Sequence, residues 1–257
     1  MRFLATLRSE TLKFRTVRAN LLGVALTFVF TIGLGALVCV AVRSNWQQLS
    51  TTDRLAFDPV RISLGGTLFA QFAVGVIGAR FITSEYASGM IRTTLTATPQ
   101  RLRVALAKAA VLKIALLVVC EISVVAAFFA GQAILRGVTP TSTFTSPGVA
   151  RAVLLTGVYL MLSALIGYGL GLIIRQTAGA ISAFTSLFLI IPILVFLLPA
   201  SWQTHISKYE PANLGESMRA SVAVPGLFGP WTALAILCAY TAAVVGVGLV
   251  LFHTRDA

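Results

Sequence analysis

Five charge-free runs, Ala19–Val42, Ile62–Ala79, Ala152–Ile174, Ala178–Leu198 and Trp231–Phe252, dominate this sequence, and a sixth, Ile114–Leu135, is broken only by Glu121. A run of about 20 apolar residues, rising 1.5 Å per residue as a helix, crosses the roughly 30 Å of a bilayer's hydrocarbon. The second run is the shortest and relies on Arg80 at its edge, whose stem lies in lipid while its charge reaches water. A membrane barrel would alternate apolar and polar residues, and these runs do not. Only 11% of the chain is charged and 57% is hydrophobic, with mean hydropathy +0.90, whereas a soluble domain is about a quarter charged. The expectation is an all-α, polytopic membrane protein. Its six transmembrane helices fall near 19–42, 62–82, 111–135, 152–174, 178–198 and 231–252, within a single transmembrane domain spanning 1–257.

The charges predict which way the chain faces. Thirteen basic residues lie before the first run, in the second and fourth connections and in the tail, while seven lie in the other connections. The side richer in Lys and Arg is retained in the cytoplasm, so both termini are expected there, in the inner (cytoplasmic) membrane. Topology and attraction to anionic lipid account for the net charge of +12 without a nucleic-acid partner. The first run is too long for a cleaved signal peptide and is expected to remain as an anchor.

Residues 1–18 read as an amphipathic interfacial helix, with Phe3, Leu4, Leu7, Thr11 and Phe14 on one face and Arg2, Thr6, Ser9 and Lys13 opposite. Small residues recur every four positions in three runs: Gly23, Thr27, Thr31 and Gly35; Gly167 and Gly171; Ala178, Ser182 and Ser186. Such faces let helix backbones approach closely, either within one subunit or between two. Pro192 should kink the fifth helix. The outer segment 199–230 contains "NLGESMRASVA", which suits a short helix, and its prolines leave open whether it re-enters the membrane.

Tests for chemistry exclude more than they find. There is no GxxxxGK[ST] phosphate cradle, and the two histidines, His205 and His253, are too far apart in the predicted topology to pair on zinc. The three cysteines lie one each in three helices and suit packing. No catalytic residue, metal site or cofactor is expected on this chain. Glu121 is the exception: a carboxylate mid-helix costs at least about 2.5 kcal/mol to insert. It is expected either to line a substrate cavity or to sit protonated against a neighbouring hydroxyl.

The most polar stretch between two apolar runs is "EYASGMIRTTLTATPQR", residues 85–101. Ser84 could cap a short helix here, with Glu85 in its first turn, and Thr98-Pro99 would close it. This stretch resembles the first cytoplasmic loop of the permease subunits of the type 2 ABC-transporter superfamily. Glu85, Gly89, Pro99 and Arg101 carry the match, while Tyr86, Ser88 and Arg92 are similar to the version in half-size multidrug exporters. The resemblance implies that a helix including Met90 docks on a separate ABC ATPase subunit, which would carry ATP and Mg. It also implies two permease copies around a route walled by the second and fifth helices, with Phe69, Phe72, Phe184 and Phe188 as wall residues and Glu121 as a further cavity candidate. A channel or secondary transporter without an ATPase, or a structural or sensory subunit, is the alternative.

Overall fold

The computed structural model describes residues 2–91 and 100–255, with side chains from residue 7 onward. Among these there is no strand. A leading helix, α1 (Arg2–Thr16), ends at the extended Val17, and six helices long and apolar enough to cross a membrane follow: α2 (Arg18–Gln48), α3 (Thr67–Ala87), α4 (Arg101–Leu135), α5 (Val149–Ile174), α6 (Thr177–Phe196) and α8 (Pro230–Thr254). The short helix α7 (Pro211–Arg219) lies between the last two. The end of the bundle holding α1 and the C-terminus is called basal here and the opposite end distal.

The bundle is organised on α5, which packs against α3, α4 and α8. Helices α3 and α5 run in the same direction with their backbones in near contact. A Cβ on Gly78 would fall on the carbonyl of Ala164, and one on Gly167 would fall on that of Gly75. A Cβ on Gly171 would likewise crowd the Ala79 carbonyl, at 2.9 Å. Lipid gives helices no hydrophobic reason to associate, so close van der Waals packing of this kind holds them. The Gly167/Gly171 face is therefore used within the protomer. So is the α2 face: a Cβ on Gly23 would meet the Ile77 side chain and one on Gly35 the Ser63 carbonyl, and Thr27 and Thr31 are buried. The α6 face differs, with Ala178 and Ser182 exposed.

Two spans depart from the expected limits for electrostatic reasons. Helix α3 begins at Thr67, because Asp58 caps a separate turn, Pro59–Ser63, by accepting from Val60 N at 2.9 Å and Arg61 N at 3.2 Å. It then continues to Ala87. Helix α4 starts at Arg101, ten residues before its expected limit. Both extensions carry charge into the protein, where it is paired.

Pro192 sits just after a π-helical stretch, Ser186–Ile190, and within the last helical turns of α6. The wide turn lies where the missing proline N–H leaves a carbonyl of the preceding turn without its usual donor. A second π stretch, Val29–Leu34, lies midway along α2.

Candidate functional site

At the basal end two acids and two amines are interleaved. Lys108, on α4, is 1% exposed; its Nζ lies 2.6 Å from Glu10 Oε2 and 2.7 Å from Glu85 Oε1. Lys13 Nζ lies 2.8 Å from Glu10 Oε1 and 2.8 Å from the same Glu85 oxygen. Three elements thus meet in one neutral quartet: α1, the last turn of α3 and the first turns of α4. Phe81 lies 5.0 Å from the Lys108 ammonium with its ring face toward it, and Phe14 packs edge-on against Phe81 at 5.7 Å. Just beside them, Tyr168 of α5 donates to the Ala105 carbonyl at 2.9 Å. Burial pulls the Lys13 ammonium down, but the two carboxylates overcome this and hold it above its ordinary value.

This geometry corrects the sequence reading of the loop. Ser84 and Glu85 belong to the end of the membrane helix α3 and do not open a helix of their own. The Glu85 side chain is 4% exposed. The helix stops at Ser88, and Gly89 adopts φ 70° with its amide returning to the Tyr86 carbonyl at 3.2 Å. That is the left-handed cap for which glycine is suited. Met90 and Ile91 are helical again. On α1 the buried side is Glu10 and Phe14 with Lys13 at its border, while Thr11 is exposed. Lys13 and Thr11 therefore exchange the faces expected of them, because the buried carboxylates of Glu10 and Glu85 draw the Lys13 ammonium inward.

The other loop residues occupy distinct places. Tyr86 is half-buried, 5.3 Å below the Arg175 guanidinium and edge-on to Phe252 at 6.5 Å. Ser88 is exposed and donates to the Ser84 carbonyl at 2.9 Å. Met90 is exposed, and Arg101 donates to the Arg255 carbonyl at 2.8 Å, joining α4 to the end of α8. Arg92 and Pro99 lie outside the described residues.

The aromatic candidates divide. Phe184 and Phe188, on α6, are 1% and 2% exposed; their rings stack at 4.3 Å, with Phe184 also edge-on to Phe72 and set over Gly75. Phe72 is partly buried, and Phe69, one turn away, is 56% exposed. Glu121 is not with them but in the seam between α4 and α5, against Gly157.

The distal end holds a second charged group that the sequence reading passed over. Glu216 of α7 pairs with both Arg61 and Arg219. Arg219, nearly fully buried, also donates to Thr67 Oγ1 at 2.9 Å, at the first turn of α3. Burial pulls its guanidinium below the ordinary value. Asp58 accepts from Ser221 N at 2.8 Å. Segment 211–219 is therefore bonded into the bundle beside α3, with Gly215 against the Tyr159 ring and Tyr159 donating to Gln71.

An all-helical bundle of six spans, with a leading helix ion-paired into its base, defines a multi-pass membrane protein. Residues 6–193 match the family model described as ABC-2 family transporter protein, and the chain belongs to that family. It is accordingly a membrane component of an ABC transporter, a class that works with an ABC ATPase partner. Comparison with curated proteins returns no match.

Proposed function

We propose that this chain is the permease subunit of an ATP-driven exporter in the bacterial cytoplasmic membrane, with its basal end in the cytoplasm. A separate ABC ATPase, carrying ATP and Mg, docks on the loop from Ser88 to Arg101. The observation that carries this reading is the short path from buried charge to an exposed turn: Glu85 is locked into the quartet, and within five residues Ser88, Gly89 and Met90 are exposed around the left-handed Gly89. Force applied at Ser88, Gly89, Met90, Arg92, Pro99 or Arg101 is passed to α3, α1 and α4 together, because Lys108 joins all three. Glu85 and Tyr86 thus act as positioning residues behind the docking surface. The excess of Lys and Arg at this end supports its cytoplasmic placement.

Two copies enclose the substrate route between their α3 and α6 surfaces. Phe69 and the exposed Ile190, Ile193 and Leu197 look away from their own protomer there, and the Phe72, Phe184 and Phe188 stack backs them. Such a wall suits amphipathic substrates. The test is copurification and transport with a candidate ABC ATPase subunit from the same genome. Ser88→Trp and Met90→Asp change exposed side chains on this turn, and each variant whose purified permease keeps its wild-type melting temperature should lose ATPase binding and ATP-dependent efflux. Undiminished binding and efflux in both variants would refute the docking surface.

A further inference from the structure

Glu121 lies thirteen residues along α4 from Lys108 and thirteen before Ile134, whose carbonyl accepts from Arg43 at the distal end. At 1.5 Å per residue it is about 20 Å from each, close to the middle of the bilayer. On α4 the outward row is Ile114, Val118, Ile122 and Phe129, all exposed. Glu121, partly buried, sits at the edge of that row and turns toward α5. There Gly157 leaves a notch: a Cβ at this position would land on the carboxyl group. Leu154, exposed on α5, borders the same seam.

One carboxyl oxygen, Oε2, is sealed from solvent and has no hydrogen-bond partner among the described residues. Charges along the two helices are distant. From Ile114 to Leu135 α4 carries no other charge, and α5 carries none from Ala152 to Ile174. The nearest basic groups on these helices are Lys113, exposed two turns away, and Arg151, which donates to the Ala220 and Ser221 carbonyls. An ionised carboxylate at this depth is costly, so the acid either holds a proton or takes a cation from outside the protein.

We propose that the notch between α4 and α5 is a lipid-side binding site for a lipophilic organic cation, with Glu121 as the counter-charge and Val118, Ile122 and Leu154 as the apolar border. Depth selects the ligand class. An alkylammonium head stays at the interface, so only a cation whose charge is spread over a bulky apolar group enters hydrocarbon far enough to reach Glu121. The site is separate from the Phe72, Phe184 and Phe188 stack and needs no ATPase, so it stands or falls apart from the export reading.

The experiment uses the full chain in lipid nanodiscs without nucleotide. Dicyclohexylcarbodiimide, a membrane-soluble reagent that adds to protonated carboxyls, is applied with and without tetraphenylphosphonium, and the peptide containing Glu121 is followed by mass spectrometry. The wild-type chain should be labelled at Glu121. At a phosphonium concentration roughly ten times its Kd the labelling rate should fall about tenfold, as occupancy requires. Glu121→Gln should abolish both the label and the saturable phosphonium binding. Gly157→Ala, which pushes only the flexible end of Glu121 out of the notch, should leave the label and weaken its protection. Absence of labelling in the wild type, or labelling unaffected by phosphonium, overturns the proposal.

Discussion

Lys108→Ala tests the basal quartet most directly. The substitution removes the deeper of the two amines that hold Glu10 and Glu85. What remains is two buried carboxylates sharing the half-buried Lys13, a net charge of −1 where the native site is neutral. Removing one partner of a buried ion pair costs about 3–5 kcal/mol, because the charge left behind is uncompensated. For a chain of this size that lowers the melting temperature by on the order of 10 °C. Adding Glu85→Gln restores neutrality, leaving Glu10 with Lys13, so the double variant should recover part of the loss although it lacks one more charged group. The cysteines supply an assay: Cys39 and Cys120 are buried and Cys238 is exposed. In a Cys238→Ser background a thiol-reactive dye reports only on unfolding. If Lys108→Ala melts with the parent, or if the two losses simply add, the quartet is not the joint described above.

Other outcomes follow from the same contacts. Glu216→Ala removes the carboxylate with which both Arg61 and the buried Arg219 pair, and should also cost about 3–5 kcal/mol in the dye melt; an unchanged melt would show α7 to be loosely held. Gly78→Ala forces α3 and α5 apart because its Cβ meets backbone rather than a movable side chain. A loss of about 1–3 kcal/mol is expected, and wild-type melting would contradict the close approach. Lys13 is held above its ordinary pKa of 10.5, so the folded state binds that proton more tightly than the unfolded one. Its contribution is full below pH 10.5 and is lost as pH rises through the elevated value. Melts across alkaline pH should therefore fall more steeply for the wild type than for Lys13→Gln, and parallel curves would refute this.

The six spans were legible because hydrocarbon imposes a single demand, a run of apolar residues that satisfies its own backbone. The ends of α3 and α4 were not. Charge was read as the limit of a membrane helix, whereas Glu85 and Lys108 remain inside the protein by neutralising each other. A local reading cannot see that pairing, since Glu10, Glu85 and Lys108 are far apart in the chain. One signal was available: Glu10 is the only acid among the five basic residues before the first span. The turn at Pro59–Ser63 was also readable, since Asp-Pro is a good cap and first helical residue. Burial of Phe184 and Phe188 could not be anticipated from aromatic character, because it depends on Gly75 opposite them. The loop motif pointed to the family, yet Glu85 serves the inside of the protein instead of its surface.

Helix α3 has a mean hydropathy of 1.3, against 2.0–2.4 for the other five spans. Its polar groups are satisfied by residues translated later: Glu85 by Lys108, Gln71 by Tyr159, Thr83 by Thr177 at 2.8 Å and Thr67 by Arg219. The partners already made are Lys13 for Glu85 and the carbonyls of Leu64, Leu68 and Ala79, which accept from Thr67, Gln71 and Thr83. During synthesis α3 therefore reaches the membrane with its side chains only partly satisfied, and their remaining partners arrive only when α4, α5, α6 and α7 are translated. The order in which the ribosome releases the helices is not the order in which their polar contacts are completed.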